Sequence, residues 1–241
     1  MSSARQPRAL AVIPARGGSK RLPRKNVISV AGHPLIAHTI MAASKAAALT
    51  DWLVTSDDDE IIAIAKKYGA PVPFKRPAEL GGDEVRNIDT VRHALLFMED
   101  AKGQHYDIVV LLQPTCPVRD PAHIDEAVTK LWNSDLDTLA SVKGPFKKRD
   151  PILKAIRDQV LEPYVREEPE GANVEPFYMY NASVYAARRD YFLRERKLIS
   201  RRQLPLVMDQ YHSADVDEIS DLLVVEAYMR FLAEKKKGEV R

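Results

Sequence analysis

A short stretch near the start of the chain combines the residue types that bind a polyphosphate. Between residues 16 and 25 it holds two glycines, one serine and five basic side chains. Glycine lets backbone N–H groups approach a ligand closely, and the cations neutralise phosphate oxygens. No Gly-Lys-Ser/Thr closes the stretch as in a P-loop, and the third glycine of a dinucleotide-binding loop is missing. The stretch therefore indicates a phosphate site of another kind, the alternatives being a solvated basic loop or a nuclear-localisation-like run.

Two carboxylates separated by one residue, Asp215 and Asp217, could hold a metal ion. Residues two apart on a β-strand point to the same side, so both could face one point while Val216 turns into the core. Mg²⁺ prefers one or two carboxylates together with substrate phosphate oxygens and water. The alternative is surface acidity or capping of the last helix, for which Glu218 and Asp221 are also suited. The pair indicates a metal only in combination with the basic stretch.

Two further loops could contribute to a ligand site. Gln113–Arg119 is a turn flanked by prolines that leaves Gln113 at a strand end, where it could read sugar hydroxyls or merely satisfy backbone groups. Arg76–Asp83 begins with an arginine and ends in flexible glycines, which is typical of a lid over a nucleotide or of a plain surface connection. Cys116, the only cysteine, has no base suggested near it and is interpreted as structural or incidental. A single cysteine also excludes an intrachain disulfide and a Cys-rich metal site.

The elements that must position these residues alternate between strand and helix. Apolar runs predict strands, which are Ala9–Ile13, Trp52–Thr55, Val72–Phe74, Ile108–Leu112, Thr138–Val142 and Asn181–Ala186. Helical spacing predicts helices over Leu35–Leu49, Asp59–Tyr68, Asn87–Met98, about Ala122–Trp132, and Ile219–Ala233. The acidic run Ser56–Asp59 is suited to capping the second of these. This alternation predicts an α/β fold with a mostly parallel sheet and helices on both faces.

Ligands in such a sheet bind beyond the carboxyl ends of its strands. The basic stretch and the turn at Gln113 each follow a predicted strand, so we expect them to open on the same rim.

Lys143–Pro176 breaks the alternation with five prolines and runs of charge. We interpret it as an excursion from a single domain spanning 1–241, with short antiparallel strands around Leu153–Ile156 and Val160–Val165. It is either a solvated loop or an arm that pairs with a second subunit.

Composition sets the outer limits. The chain has 241 residues, 45% of them hydrophobic and 29% charged, which is typical of a globular domain. The formal net charge of +2 gives no general attraction for nucleic acid or a membrane surface, and we expect neither as a partner. The apolar stretch Ala9–Ala15 is too short for a signal peptide or a membrane span. The expectation is a soluble cytoplasmic protein.

The order of these motifs resembles that of the acylneuraminate cytidylyltransferases, the CMP-sialic acid synthetase family. The signature of that family is similar to Ile13-Pro14-Ala15-Arg16-x-x-Ser19-Lys20-x-Leu22-Pro23-x-Lys25-Asn26. Further segments follow in the family's order, over about residues 9 to 230: Val54–Asp58, Arg76–Leu80, Leu111–Arg119, Asn181–Tyr185 and Asp215–Asp217. Relatives that make CMP-Kdo usually have Leu-Gly-Ser-Thr-Arg in the first loop, so this sequence is more similar to the sialic acid branch.

The resemblance implies a nucleotide-diphospho-sugar transferase fold, which is Rossmann-like, and transfer of CMP from CTP to a nine-carbon keto sugar acid. It also implies which residues bind each substrate and the metal ion. Those for CTP are Arg16, Ser19, Lys25, Asn26 and Arg76; those for the sugar are Gln113, Asn181 and Tyr185; those for Mg²⁺ are Asp215 and Asp217. Lys25 and Arg16, together with the two aspartates, would be the catalytic residues. The excursion 143–176 corresponds to the family's dimerisation arm, which implies a homodimer.

Two departures from the family pattern fall at the sugar end. The family usually has a basic segment with Arg-Gln and Pro before an Asn-Gly-Ala-Ile-Tyr stretch, whereas Glu167–Glu175 is acidic here. The stretch itself reads Asn181-Ala182-Ser183-Val184-Tyr185, without the glycine. The sugar is therefore the open half, with sialic, legionaminic, pseudaminic and Kdo-like acids as alternatives. A non-catalytic nucleotide or sugar sensor is a further alternative, although it would be expected to have lost a metal carboxylate or Lys25.

Overall fold

The structure, a computed structural model, describes residues 5–19, 21–82, 84–146, 154–157, 160–163 and 176–238. Its strands are β1 (Ala9–Pro14), β2 (Ser29–Val30), β3 (His33–Pro34), β4 (Asp51–Thr55), β5 (Ile108–Leu112), β6 (Thr138–Phe146), β7 (Lys154–Arg157), β8 (Val160–Pro163), β9 (Phe177–Arg188) and β10 (Leu204–Met208). Its α-helices are α1 (Leu35–Ala43), α2 (Asp59–Lys67), α3 (Asn87–Lys102), α4 (Pro121–Trp132), α5 (Arg189–Glu195) and α6 (Ile219–Lys237). Short 3₁₀ helices cover Lys25–Val27 and Ala78–Leu80.

The main sheet has six strands in the order β10-β6-β9-β5-β1-β4. The pairs β1–β4, β1–β5 and β6–β10 are parallel, and β9 alone runs antiparallel, between β5 and β6. The predicted mostly parallel sheet is therefore confirmed. Because β9 lies between β5 and β6, its middle residues are brought beside the turn that follows β5.

Alternate residues of β1 divide between two hydrophobic cores. Ala9, Ala11 and Ile13 contact helices α1, α2 and α4 on one face of the sheet, and Leu10 and Val12 contact α3 and α5 on the other. All five side chains are fully buried. This is the pattern of a strand covered on both faces, as the apolar run predicted.

A third core joins the last helix to the first loop. Val225 of α6 packs with Val216, with Leu22 of the basic stretch and with Val118 of the turn after β5. Leu222 and Met229 of α6 pack against the same cluster, which confirms the predicted apolar face of this helix. The contact brings the end of the chain to the rim where β1 and β5 end.

The structure corrects three local predictions. No strand forms at Val72–Phe74, and the backbone bonds to β4 and its end lie on either side of this segment, from Val54 N to Pro71 O (3.0 Å) and from Arg76 N to Ser56 O (2.8 Å). Helix α1 ends at Ala43 instead of Leu49, because the chain must turn to place Thr50 N on Ala9 O, at 2.9 Å. Residues 215–217 are not part of a strand, so the geometry assumed for the two aspartates does not apply.

Other elements carried no sequence prediction or are only partly described. These are the hairpin β2–β3, helix α5 and strand β10. The antiparallel pair β7–β8 confirms two short strands within the predicted arm, with Lys154 opposite Pro163. Residues 147–153, 158–159 and 164–175 of that arm, including the acidic segment, lie outside the described residues. Among the described residues, no helix has the length and apolar character needed to cross a membrane.

Candidate active site

A cavity of about 480 Å³ opens where β1 and β5 end. We call it the first cavity. Seven of the predicted site residues line it, namely Arg16, Ser19, Lys25, Asn26, Arg76, Gln113 and Asp217. The shared rim that the sequence predicted for the basic stretch and the turn at Gln113 is therefore confirmed.

The basic stretch is shaped by its own side chains. Asn26 is buried, and its Nδ2 donates to the backbone oxygen of Arg16 at 3.0 Å, which closes the loop on itself. Ser19 and Lys25 lie on the cavity wall between these two residues in sequence. The loop thus presents charge and a hydroxyl to the cavity while its amide side chain is used for structure.

Asp58 anchors this loop to the end of β4. Its carboxylate accepts the N–H of Ile61 at 2.9 Å, which confirms the predicted cap of α2, and also accepts from Arg24 at 2.5 and 3.2 Å. The hydrogen bond from Arg24 holds the pKa of Asp58 below its usual range. A Cβ added to Gly17 would lie only 2.6 Å from Asp58 Oδ2, so the loop backbone passes directly against this carboxylate. The sequence indicated the cap but gave no sign of the anchor.

Lys25 and Asp217 meet across the cavity although they are far apart in sequence. Lys25 Nζ donates to Val216 O at 2.6 Å and lies 3.2 Å from Asp217 Oδ1. Arg21 Nη1 donates to the other oxygen of Asp217 at 2.8 Å. Val216 N in turn donates to Thr115 O at 2.8 Å. The segment carrying the aspartates therefore joins the basic stretch to the turn after β5.

The two aspartates do not cap the last helix. Glu218 is the N-cap residue of α6, and Asp221 accepts the backbone N–H groups of Asp217 and Glu218 at 2.7 and 2.8 Å. The carboxylate of Asp217 is instead half exposed and directed to Lys25 and Arg21. Capping of α6 therefore belongs to Glu218 and Asp221, and neither Asp215 nor Asp217 serves as a helix cap.

Arg76 is a buried wall of the first cavity. Only 6% of it is exposed, and its guanidinium donates to the backbone oxygens of Thr55 and, at 3.3 Å, of Ala15. Burial lowers the pKa of Arg76 to about 10, so the group stays protonated at neutral pH. The residue contributes positive charge to the cavity from a position that backbone carbonyls hold in place.

A second cavity of about 830 Å³ contains the other part of the predicted site. It is lined by β6, β9, the segment before α6 and α6 itself, and includes Asn181 and Asp215. Asn181 is buried, donates to Ser213 Oγ at 2.9 Å and accepts from Ser183 N at 3.2 Å. Asp215 Oδ1 lies 3.6 Å from Cys116 Sγ.

The expectation that both aspartates face one point needs correction. Asp217 lines the first cavity and Asp215 the second, with the buried Val216 between them. The physical reason is that the segment is not paired in a sheet, so the alternation of a strand does not fix its side chains. Residues 215–217 thus form a boundary that the two cavities share.

Tyr185, the remaining predicted sugar residue, lines neither of these cavities. It lies on β9 opposite Leu111 and Ala140, packs against the core and is only partly exposed. Burial raises its pKa to about 12, so its hydroxyl is neutral at physiological pH.

Asn87 and Thr90 line the first cavity from the first turn of α3, although the sequence analysis assigned no role to either residue. The signal that could have found them is the helix start at a ligand rim.

Comparison with known proteins identifies the family. The family model described as Cytidylyltransferase matches residues 10–236, almost the whole chain. The chain belongs to the cytidylyltransferase family. Relatives of this cytidylyltransferase include the CMP-N,N'-diacetyllegionaminic acid synthase of Legionella pneumophila, which is 36% identical over 92% of this chain and 96% of its own. The pseudaminic acid cytidylyltransferase of Campylobacter jejuni is 40% identical over 88% of this chain and 92% of its own.

A third relative is larger than this chain. The N-acylneuraminate cytidylyltransferase of Escherichia coli is 32% identical over 88% of this chain but over only 50% of its own length. Among solved structures, a CMP:2-keto-3-deoxy-manno-octonic acid synthetase complexed with CTP has a TM-score of 0.68 and 19% identity, covering 92% of this chain and 98% of its own. At that identity the likeness shows the fold alone, and it confirms the predicted nucleotide-diphospho-sugar transferase fold.

Proposed function

We propose that this cytidylyltransferase transfers CMP from CTP to the anomeric hydroxyl of a sialic-acid-type nonulosonic acid. The observation that carries the proposal is the first cavity, where Arg16, Lys25 and Arg76 surround a space that also holds Asp217. Such a wall suits a triphosphate. The named relatives act on nonulosonic acids, which supports the sugar class.

The reaction requires positioning and charge neutralisation more than a protein nucleophile. The anomeric oxygen attacks the α-phosphorus, the bond to the β-phosphate bridging oxygen breaks, pyrophosphate leaves and the hydroxyl proton is released. Arg16, Ser19 and Arg76 would hold the triphosphate in line for this attack. Lys25 would stabilise the negative charge that develops on the phosphate oxygens in the transition state. Asn26 would act by keeping the loop in shape.

We propose Mg²⁺ as the cofactor, held by Asp217 at the boundary of the first cavity. Asp215, the other predicted ligand, faces the second cavity and would reach the same ion only after a rearrangement of residues 215–217. Within the described part of the chain, no cluster of three or more His, Cys, Asp or Glu side chains could hold a metal by itself. Mg²⁺ in nucleotide enzymes does not need one, because one or two carboxylates and substrate phosphates complete its ligands. The half-exposed carboxylate of Asp217, beside the predicted phosphate site, fits that donor set. When bound, the ion would supply charge stabilisation at the α-phosphate.

We place the sugar between Gln113 of the first cavity and Asn181 of the second. Gln113 offers neutral donors and acceptors suited to hydroxyl and N-acyl groups. The amide of Asn181 already donates to Ser213 and Met208, so Asn181 would serve the sugar through the second lone pair of Oδ1, beside the bond from Ser183 N. Ala182, beside Asn181, has φ 59 and lies on the second cavity, at the position where the family usually has glycine. This departure changes the wall where the sugar is expected. Legionaminic, pseudaminic and Kdo-like acids therefore remain alternative substrates.

We also propose a homodimer in which the arm at 143–176 contacts the partner. Large apolar side chains are exposed at the base of this arm, namely Tyr178, Met179 and Tyr180 of β9. Ile219 and Leu223 of α6 are exposed as well. Exposed apolar patches of this kind commonly mark protein interfaces. Light scattering at micromolar concentration should give twice the mass of one chain, and a monomeric mass would contradict the proposal.

The experiment that tests the function measures pyrophosphate release from each of the four nucleoside triphosphates with Mg²⁺ and a panel of keto sugar acids. We expect release only with CTP and a nonulosonic acid, and the panel then ranks sialic, legionaminic and pseudaminic acids by kcat/KM. Activity with ATP or GTP instead would refute the choice of CTP. Tight CTP binding without release from any sugar would favour a non-catalytic sensor.

A further inference from the structure

Arg119 is a buried cation in the turn that follows β5. Only 4% of it is exposed, and burial lowers its pKa to about 10, so it remains protonated at neutral pH. No carboxylate of the described residues lies within ion-pair distance of its guanidinium. Burying a charge without an opposite charge is unfavourable. The burial of this unpaired charge therefore needs an explanation other than packing, and the hydrogen bonds of Arg119 offer one.

The guanidinium of Arg119 joins three elements of the fold. Its Nη2 donates to Gln113 O at 3.0 Å, and its Nη1 donates to Thr39 Oγ1 of α1 at 3.2 Å. Its Nε donates to Ser183 O at 3.0 Å and lies 3.2 Å from Ser183 Oγ on β9. Only a planar group with several fixed donors can make these bonds at once.

These bonds form part of a chain that runs from one cavity to the other. Gln113 lines the first cavity, and Ser183 N donates to Oδ1 of Asn181, which lines the second. Ala182 lies between Asn181 and Ser183 in a left-handed conformation, with φ 59. An alanine keeps such a conformation only where its surroundings hold it. The bonds from Arg119 to Ser183 fix the backbone on the C-terminal side of Ala182.

We propose that Arg119 is a positioning residue for cytidylyl transfer, which holds Gln113 and the segment Asn181–Ser183 at a fixed distance. The proposal rests on the proposed function, in which CTP occupies the first cavity and the sugar contacts both. In-line attack requires the two substrates to be aligned, and a misplacement of about 1 Å can reduce the rate by about 100-fold. Arg119 would therefore act on turnover without touching either substrate.

The test compares Arg119→Met and Arg119→Lys with a matched control, Arg188→Met. Arg188 also donates to backbone carbonyls, such as Leu136 O at 3.1 Å and Leu131 O at 3.2 Å, but it lies at the C-terminal end of β9 and lines neither cavity. We expect R119M to lower kcat by about 100-fold with both substrates saturating, while the Kd for CTP changes by less than about threefold. R188M should lose stability and keep kcat per folded molecule.

Arg119→Lys covers the case in which R119M does not fold. Lysine keeps the charge and most of the volume but cannot reach three elements at once, so we expect kcat to fall by about tenfold. Wild-type turnover in R119K, or an equal loss in R188M, would overturn the proposal.

Amide hydrogen exchange separates this proposal from the proposed function. If the wild-type protein releases no pyrophosphate with any sugar, the proposed function has failed, and exchange in R119K still tests the role of Arg119. Faster exchange in both 113–116 and 181–183 in R119K, but not in R188M, would support positioning. Unchanged exchange in these two segments would overturn it.

Discussion

Replacing Asp217 by asparagine removes one negative charge from the edge of the first cavity and keeps the size of the side chain. The lost ion pairs cost little stability. Asp217 is 49% exposed and Arg21 is 70% exposed, and Lys25, although only 14% exposed, keeps its bond to Val216 O at 2.6 Å. Exposed pairs contribute less than about 1 kcal/mol, which for this chain length corresponds to a fall in Tm of at most about 2–4 °C. CTP should bind nearly as well, since Arg16, Lys25 and Arg76 remain.

Turnover of Asp217→Asn should nevertheless collapse. A bound metal contributes several kcal/mol of charge stabilisation in the transition state, and losing about 3–4 kcal/mol lowers kcat by about 10²–10³-fold. The assay is pyrophosphate release with CTP and the best sugar of the panel, alongside a Tm measurement on the same protein. If Asp215 and Asp217 hold one ion, the double variant should be scarcely slower than the slower single variant.

Asp107→Asn provides the matched control. Asp107 lies just before β5, at the end opposite the cavities, and accepts from Arg5 at 2.7 Å and from Arg8 N at 2.8 Å, so its replacement should lower stability by about 1 kcal/mol and leave turnover nearly normal. Near-normal turnover in Asp217→Asn would refute the metal site at this position. Losses that add in the double variant would show that the two carboxylates act separately, each from its own cavity.

Three further predictions test the loops and the core. Gly17→Ala should reduce kcat/KM because the new Cβ would lie 2.6 Å from Asp58 Oδ2. Gly18→Ala should not, since a Cβ there would have nothing within 4 Å. Equal effects of the two substitutions would contradict the role of Asp58 as the anchor of this loop. Ala182→Gly should relieve about 1 kcal/mol of left-handed strain and raise Tm, and an unchanged or lower Tm would show that Ala182 is not strained. Burial opposes ionisation of Glu99, but bonds from Arg189, Tyr106 N and His105 outweigh it and lower its pKa. That stabilisation is present above the ordinary pKa of a glutamate, about 4.3, and is lost as pH falls through the folded pKa. Urea unfolding should show that the free energy of unfolding falls less on acidification in Glu99→Gln than in the wild type. Equal falls in the two proteins would assign the effect to other groups.

The local parts of this structure could be predicted from the sequence, because they depend on residues a few positions apart. The run Ala9–Ile13 is buried on both faces, as its continuous apolar character indicated. Asp58 caps α2, and the apolar positions of α6 face the core. The residue types of the basic stretch predict a phosphate site, and the structure places Arg16, Ser19 and Lys25 on the wall of one cavity. Each of these inferences needs only the period of a helix or strand and the chemistry of the side chains.

The contacts that assemble the candidate site were decided by the tertiary structure. Lys25 and Asp217 lie 192 positions apart, and no local pattern predicts that they meet. The insertion of β9 between β5 and β6 brings Ser183 to Arg119, and the loop at 215–217 divides its two carboxylates between two cavities. These contacts depend on strand order and on packing across the whole domain, which residue types and spacing along the chain do not specify.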